Sequence, residues 1–175
     1  MNQDKQYSVI PSSYRPLLNL IADVESRGNY NAYFGNTTNS SIDFTKMSIA
    51  EVRQWQKEQV EQGSPSSAVG RYQIIDTTLA ELVRTMNINQ EQLFDQATQD
   101  KMAIALIEKR GSLDYVNGEI TRDQFAANLA KEWASLPSVI GNNPNESYYQ
   151  GDGLNKSLIN KEKVFGAINL IEAME

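Results

Sequence analysis

Apolar residues recur at helical spacing in several stretches of the chain, with polar, turn-forming stretches between them. The clearest stripe is Leu17, Leu20, Ile21 and Val24, which predicts the last turns of a core helix. That helix is expected to begin at Ser13, with Pro16 in a first turn whose amides have no helical partner. Gly28 follows where a left-handed cap ends a helix. Ser48-Ile-Ala-Glu51 and Thr78-Leu-Ala-Glu81 both read as capping boxes. The first opens a helix to about Gln62, with Ile49, Val52, Gln56 and Val60 on one face and Trp55 beside them. The second opens a helix that buries Leu79, Leu82, Val83 and Met86.

Asp95 is expected to cap a helix running through Arg110, ended by Gly111, with Met102, Ala105, Leu106 and Lys109 in register. Thr121-Arg-Asp-Gln124 opens another, carrying Phe125, Asn128, Leu129 and Trp133 before Leu136-Pro137 closes it. A last helix carries Val164, Ile168 and Ile171. Residues 1–12 are polar and aperiodic and read as a loose arm. The stretch after Gly28 mixes turn formers with aromatics and reads as a loop or short hairpin. Gly141 to Gly153 is a long polar loop. The pattern predicts one domain over 1–175, mainly α (α+β), with a small β-hairpin region near residues 30–47.

The 175 residues suffice to bury one ordinary core. The chain has neither cysteine nor histidine. That excludes disulfides, thiol nucleophiles, zinc–thiolate sites and histidine-based triads. Catalysis must then come from carboxylates, hydroxyls, amides, Lys, Arg or Tyr. A net charge of −6, without a basic patch, argues against nucleic acid or anionic lipid as partner. No run approaches a transmembrane span and no signal-peptide pattern opens the chain, so no membrane insertion is expected. No carboxylate cluster has ligand spacing, so neither metal nor cofactor is expected.

Among the remaining chemistry, Glu25 stands out. It falls in the last turn before Gly28, where the helix carries partial negative charge and favours the protonated acid. Desolvation would push its pKa the same way, and a glutamic acid protonated near neutrality can protonate a glycosidic oxygen. The plainer alternative is a helix-end Glu that pairs with Arg27 or is solvated.

Ser67-Ala-Val-Gly-Arg-Tyr-Gln-Ile-Ile75, the Glu108-Lys-Arg-Gly111 helix end and Trp133-Ala-Ser-Leu-Pro137 together resemble the endolysins of lambdoid bacteriophages, in the same order and at similar spacing. Glu25-Ser-Arg-Gly28 and Gly70-Arg-Tyr-Gln73 are more loosely similar to motifs of goose-type lysozymes and soluble lytic transglycosylases. The likeness covers roughly residues 17–140 and is weaker in the arm, in 37–62 and in the last helix. The acidic charge balance departs from the lambdoid pattern. The resemblance implies a lysozyme-like fold and a bacteriolytic enzyme acting on peptidoglycan glycan strands, with Glu25 as catalytic acid. Such an enzyme cleaves between N-acetylmuramic acid and N-acetylglucosamine and closes a 1,6-anhydro ring, which needs only one carboxylate. With no signal-peptide pattern, the expected location is the host cytoplasm and then the periplasm and cell wall, or the virion, with the wall reached through a holin lesion, by virion delivery or within a larger fusion. A monomer is expected.

Gln73 offers a donor and an acceptor suited to an N-acetyl group, and by resemblance it lines the cleft; otherwise it satisfies loop backbone. Tyr72 is either a cleft or a core residue, because neighbours in an extended segment face opposite ways. Tyr148 and Tyr149 are candidates to stack on a sugar, or are ordinary exposed loop aromatics. Trp133 reads as core, and Arg71 as a binder of loop carbonyls or a carboxylate. A hydrolytic muramidase would need a second acid. Asp23 points away from Glu25 on the helix, leaving Asp43, whose plainer role is to stabilise a turn. A non-enzymatic wall-binding or virion module on the same scaffold is the alternative from another class.

Overall fold

The computed structural model describes residues 12–171. The arm expected over 1–12 lies outside them except for Ser12, which opens a 3-10 turn at Ser12–Tyr14. Seven α-helices follow among the described residues: α1 (Arg15–Ser26), α2 (Ile49–Glu61), α3 (Asp76–Thr85), α4 (Gln96–Lys109), α5 (Ser112–Val116), α6 (Arg122–Ala130) and α7 (Lys161–Ile168). The fold is mainly helical, as the lysozyme-like reading expects. None of these helices is long and apolar enough to cross a membrane.

Helix α1 buries Leu17, Leu18, Ile21 and Ala22, and packs against α4 and α7. Fully burying Leu17 and Ile21 contributes roughly 1.5–3 kcal/mol each. The helix ends as the sequence predicts, with one refinement: Arg27 (φ 56°) and Gly28 (φ 78°) are both left-handed. The Gly28 amide bonds back to the Ala22 carbonyl at 3.0 Å, closing the helix end. Helix α4 is buried on most sides, through Met102, Ala103, Ile104, Leu106 and Ile107. That is why its stripe is broader than the predicted register, and why Lys109 stays at the surface, bonded to Glu81.

The capping boxes at Ser48/Glu51 and Thr121/Gln124 form, as does the Asp95 cap. The box predicted at Thr78/Glu81 does not. Helix α3 already starts at Asp76, whose amide is taken by Ser67 Oγ at 3.0 Å, and Glu81 turns outward to Lys109. Val60 is 48% exposed and drops out of the α2 face. Helix α6 stops at Ala130, short of Trp133, although Trp133 is buried as expected. Ile171 is buried but lies beyond the last helix.

The region near 30–47 forms no regular strand; β pairing among the described residues consists of isolated bridges. Tyr33 and Asn36 form one antiparallel bridge within it, and side chains satisfy much of the remaining backbone. Asn29 donates to the carbonyls of Thr37 and Asn39, Asn39 to those of Asn31 and Ile42, and Asn31 accepts from the Thr45 amide. The backbone groups left over reach a distant segment. The Phe34 amide bonds to the Ala68 carbonyl at 2.9 Å and the Gly70 amide to the Ala32 carbonyl at 2.8 Å. This pairing carries the Gly70–Gln73 turn to the end of α1.

Candidate active site

Three polypeptide segments meet at the C-terminal end of α1, and each is fastened by a buried or partly buried polar contact. Ser26, next to Glu25, donates through its hydroxyl to the Arg71 carbonyl at 2.7 Å. Trp133 donates its indole N–H to the Tyr72 carbonyl at 3.1 Å. Gln99 accepts from the Arg71 amide at 2.8 Å and donates to the carbonyls of Tyr30 and Phe94. Gly70 has φ 82°, and a Cβ there would strike Gln99 Oε1 and approach Phe94 to 3.0 Å. Only glycine lets the turn lie against α4.

Beneath the turn, Arg71 is a structural hub. Its guanidinium donates to Tyr30 Oη at 2.7 Å and Asn19 Oδ1 at 2.9 Å, and lies 3.9 Å from Asp100. So it binds a carboxylate, one of the two roles its sequence context allows. Tyr72 is 1% exposed and donates its hydroxyl to Asp100 at 2.6 Å. Burial and that carboxylate push its phenol far above the usual tyrosine range. Tyr72 contributes to the cavity wall, but as a core residue whose hydroxyl is already committed.

A cavity of about 750 Å³ opens above this arrangement, and Glu25, Gln73, Ser135, Glu132, Tyr149 and Phe34 all line it. Glu25 as a residue is half-buried, while its carboxyl group is deeply enclosed. The enclosure of the carboxyl sets its chemistry. Desolvation pushes its pKa from an ordinary 4.5 up to about 7, partly offset by the hydroxyl and amide of Ser135, which favour the ionised form. The Ser135 hydroxyl donates to Glu25 Oε1. The pairing with Arg27 that the sequence leaves open is not formed: Arg27 is exposed and Ser135 is the partner.

Gln73 lies on the same wall with φ 49°, a left-handed backbone. Its amide nitrogen donates to the Gly70 carbonyl at 2.8 Å, so it does satisfy loop backbone. That leaves its amide oxygen and second N–H without a protein partner among the described residues. Tyr149 donates its hydroxyl to the Lys131 carbonyl at 2.7 Å, which fixes its ring at the rim. Tyr148 packs edge-on against Tyr149, is 54% exposed, and stands outside the cavity lining.

Asp43 is brought nowhere near this wall's lining. It is exposed, paired with Lys46 at 2.7 Å and accepting from Thr45, and these contacts hold its carboxyl below the usual range. It acts as the turn residue its context suggests. The second carboxylate that does line the cavity is Glu132, and Arg110 holds it with N–O distances of 2.6 and 2.8 Å. Ser135 and Glu132 carry no role in the sequence reading. Among the described residues no group of three or more acids has metal-binding geometry.

A family model described as Endolysin matches residues 17–156. No curated protein and no solved structure matches the chain.

Proposed function

Because the chain belongs to the endolysin family, and so is a phage-type peptidoglycan-degrading enzyme, we propose that it cleaves as a lytic transglycosylase with Glu25 as its one acid–base group. The observation that carries this reading is the enclosed carboxyl with a pKa near 7, alone among the cavity's acids in having no cation beside it. At neutral pH a large fraction of Glu25 is protonated, matched to donating a proton to the glycosidic oxygen between muramic acid and N-acetylglucosamine.

As that bond breaks, charge develops on the muramic acid ring, and the sugar's own N-acetyl oxygen can stabilise it. The ionised Glu25, held by the Ser135 hydroxyl, then takes the proton from the 6-hydroxyl of the same sugar. That oxygen closes on the anomeric carbon and forms the 1,6-anhydro ring. The tethered nucleophile has a high effective concentration and makes a positioned water unnecessary. Gln73 offers its free amide groups to an N-acetyl or hydroxyl pair, and Tyr149 offers a ring face at the rim.

A hydrolase would need a second carboxylate near the anomeric carbon to activate water or attack. Asp43 is committed to Lys46, and Glu132 to Arg110. A purely wall-binding module would have no use for an acid whose burial costs stability. The reading is tested by comparing wild type and Glu25→Gln on purified peptidoglycan. Release of muropeptides by wild type, with at least a ~1000-fold loss in the variant, is expected for removal of an essential acid. A variant that retains wild-type release would refute the assignment.

A further inference from the structure

Two cationic side chains on the cavity wall have no counter-charge. Lys131 and Lys156 both line it and both are exposed, and among the described residues neither forms an ion pair. The contacts of Lys131 are a long 3.4 Å approach to Asn128 Oδ1 and the Tyr148 ring at 5.9 Å. The remaining cavity charges are accounted for: Arg110 is neutralised by Glu132, and Glu25 is the acid. In a chain of net charge −6, a cleft with two unpaired ammonium groups runs against the overall field.

Both belong to segments linked to the residue that holds the acid. Lys131 lies four residues before Ser135 on the segment that brings Ser135 to Glu25. Lys156 lies two residues before Leu158, whose amide bonds to the Ser135 carbonyl at 2.9 Å. The Ser147 hydroxyl, bonded to the Ala134 carbonyl at 2.7 Å, seats the same strap on that wall. The two lysines therefore line the same cavity as Glu25, on segments joined to Ser135. The sugar on one side of the cleaved bond, muramic acid, is the one that bears a carboxylate-containing branch.

We propose that Lys131 and Lys156 form a binding site for a carboxylate on the lactyl branch of muramic acid, borne by the stem peptide or by the lactyl group itself. This rests on the glycan-cleaving reading above and specifies which strands the cleft takes. Two ammonium groups at a water-exposed rim act as mobile point charges, which suits a carboxylate on a flexible branch better than a fixed planar partner. Each such exposed contact is worth up to about fivefold in affinity and weakens with salt.

The test measures binding, not turnover, in the full chain carrying Glu25→Gln, with and without K131Q/K156Q. Three soluble probes are used at low salt: peptide-bearing glycan strands, strands stripped of peptide by an amidase, and neutral chitohexaose. The lysine substitutions are expected to weaken binding of peptide-bearing strands about three- to tenfold while leaving chitohexaose unaffected. Because the lactyl carboxyl is an amide until the amidase frees it, loss on peptide-bearing strands alone assigns the carboxylate to the stem peptide, loss on stripped strands alone assigns it to the lactyl group, and loss on both shows that the site takes either. Equal loss on chitohexaose, or no loss on any probe, would overturn the site. Wild type that releases no muropeptides while the lysine dependence holds would overturn the acid assignment and leave this site standing.

Discussion

The hydroxyl of Ser135 donates to the carboxyl of Glu25 across 110 positions of sequence, and with the amide of the same residue it opposes the desolvation of that acid. Ser135 reaches it because Trp133, two residues earlier, is pinned to the Tyr72 carbonyl, while Ser26 ties the end of α1 to Arg71. The acid is thus held between two segments that are themselves fastened to one turn.

Removing the Ser135 hydroxyl should move the titration of Glu25 in a defined direction. The bond favours the ionised form, so Ser135→Ala raises the pKa above its present value near 7. The basic limb of the pH profile of kcat/KM then shifts to higher pH, and kcat falls because the ionised carboxyl is less well held for the second proton transfer. A basic limb that stays in place or moves down would show that Ser135 acts only as packing.

Burying Glu25 should cost stability above its unfolded pKa. A carboxyl with a folded pKa of about 7 and an unfolded value near 4.5 binds more protons folded than unfolded between those limits. Stability therefore falls as pH rises through that window, and the cost is fully present above it. Glu25→Gln removes the cost and can keep the Ser135 hydrogen bond. The variant is expected to unfold at higher temperature than wild type at about pH 8, by at most about 3 kcal/mol, with the difference closing at about pH 4. Denaturation curves at the two pH values check both sign and window.

Gly70→Ala should damage fold and site together. The new Cβ meets Gln99 Oε1 and sits on a left-handed backbone, for a cost of order 2–4 kcal/mol. Because Gln99 also holds the Arg71 amide, the displaced turn carries Gln73 with it. Thermal unfolding reports the first effect, and KM on peptidoglycan the second. An unchanged melting temperature would contradict the packing described for the turn.

Asp43→Asn is expected to leave muropeptide release within about twofold of wild type, since Asp43 serves its own turn and stands outside the cavity lining. A loss of a hundredfold or more would place Asp43 in the chemistry and favour hydrolysis.

What could be read from the sequence follows how local its causes are. The caps at Ser48, Asp95 and Thr121 depend on partners three residues away, and they form as predicted. The end of α1 was readable for the same reason. The Thr78 box has the right spelling but loses to Ser67, which caps the helix from nine residues upstream of its first amide. The hairpin near 30–47 is reduced to one antiparallel bridge, Tyr33 with Asn36, because three asparagines satisfy the backbone around it and its outer edge pairs with 68–70. Trp133 continues the apolar period of α6 because it is buried, although the helix has ended. Glu25 and Gln73 were visible from helix-end chemistry and motif. Ser135 was not, since a serine gives no local sign of a partner 110 residues away. Its only trace lay within Trp-Ala-Ser-Leu-Pro, one of the segments that carry the family resemblance.

The most direct test of a single-acid mechanism is to digest peptidoglycan with wild type in water enriched in heavy oxygen and to weigh the released muropeptides. Intramolecular closure by the 6-hydroxyl predicts 1,6-anhydromuramic ends, one water lighter than reducing ends and free of the heavy isotope. Reducing ends that carry the heavy oxygen would contradict the account, because a solvent molecule would then have been the nucleophile.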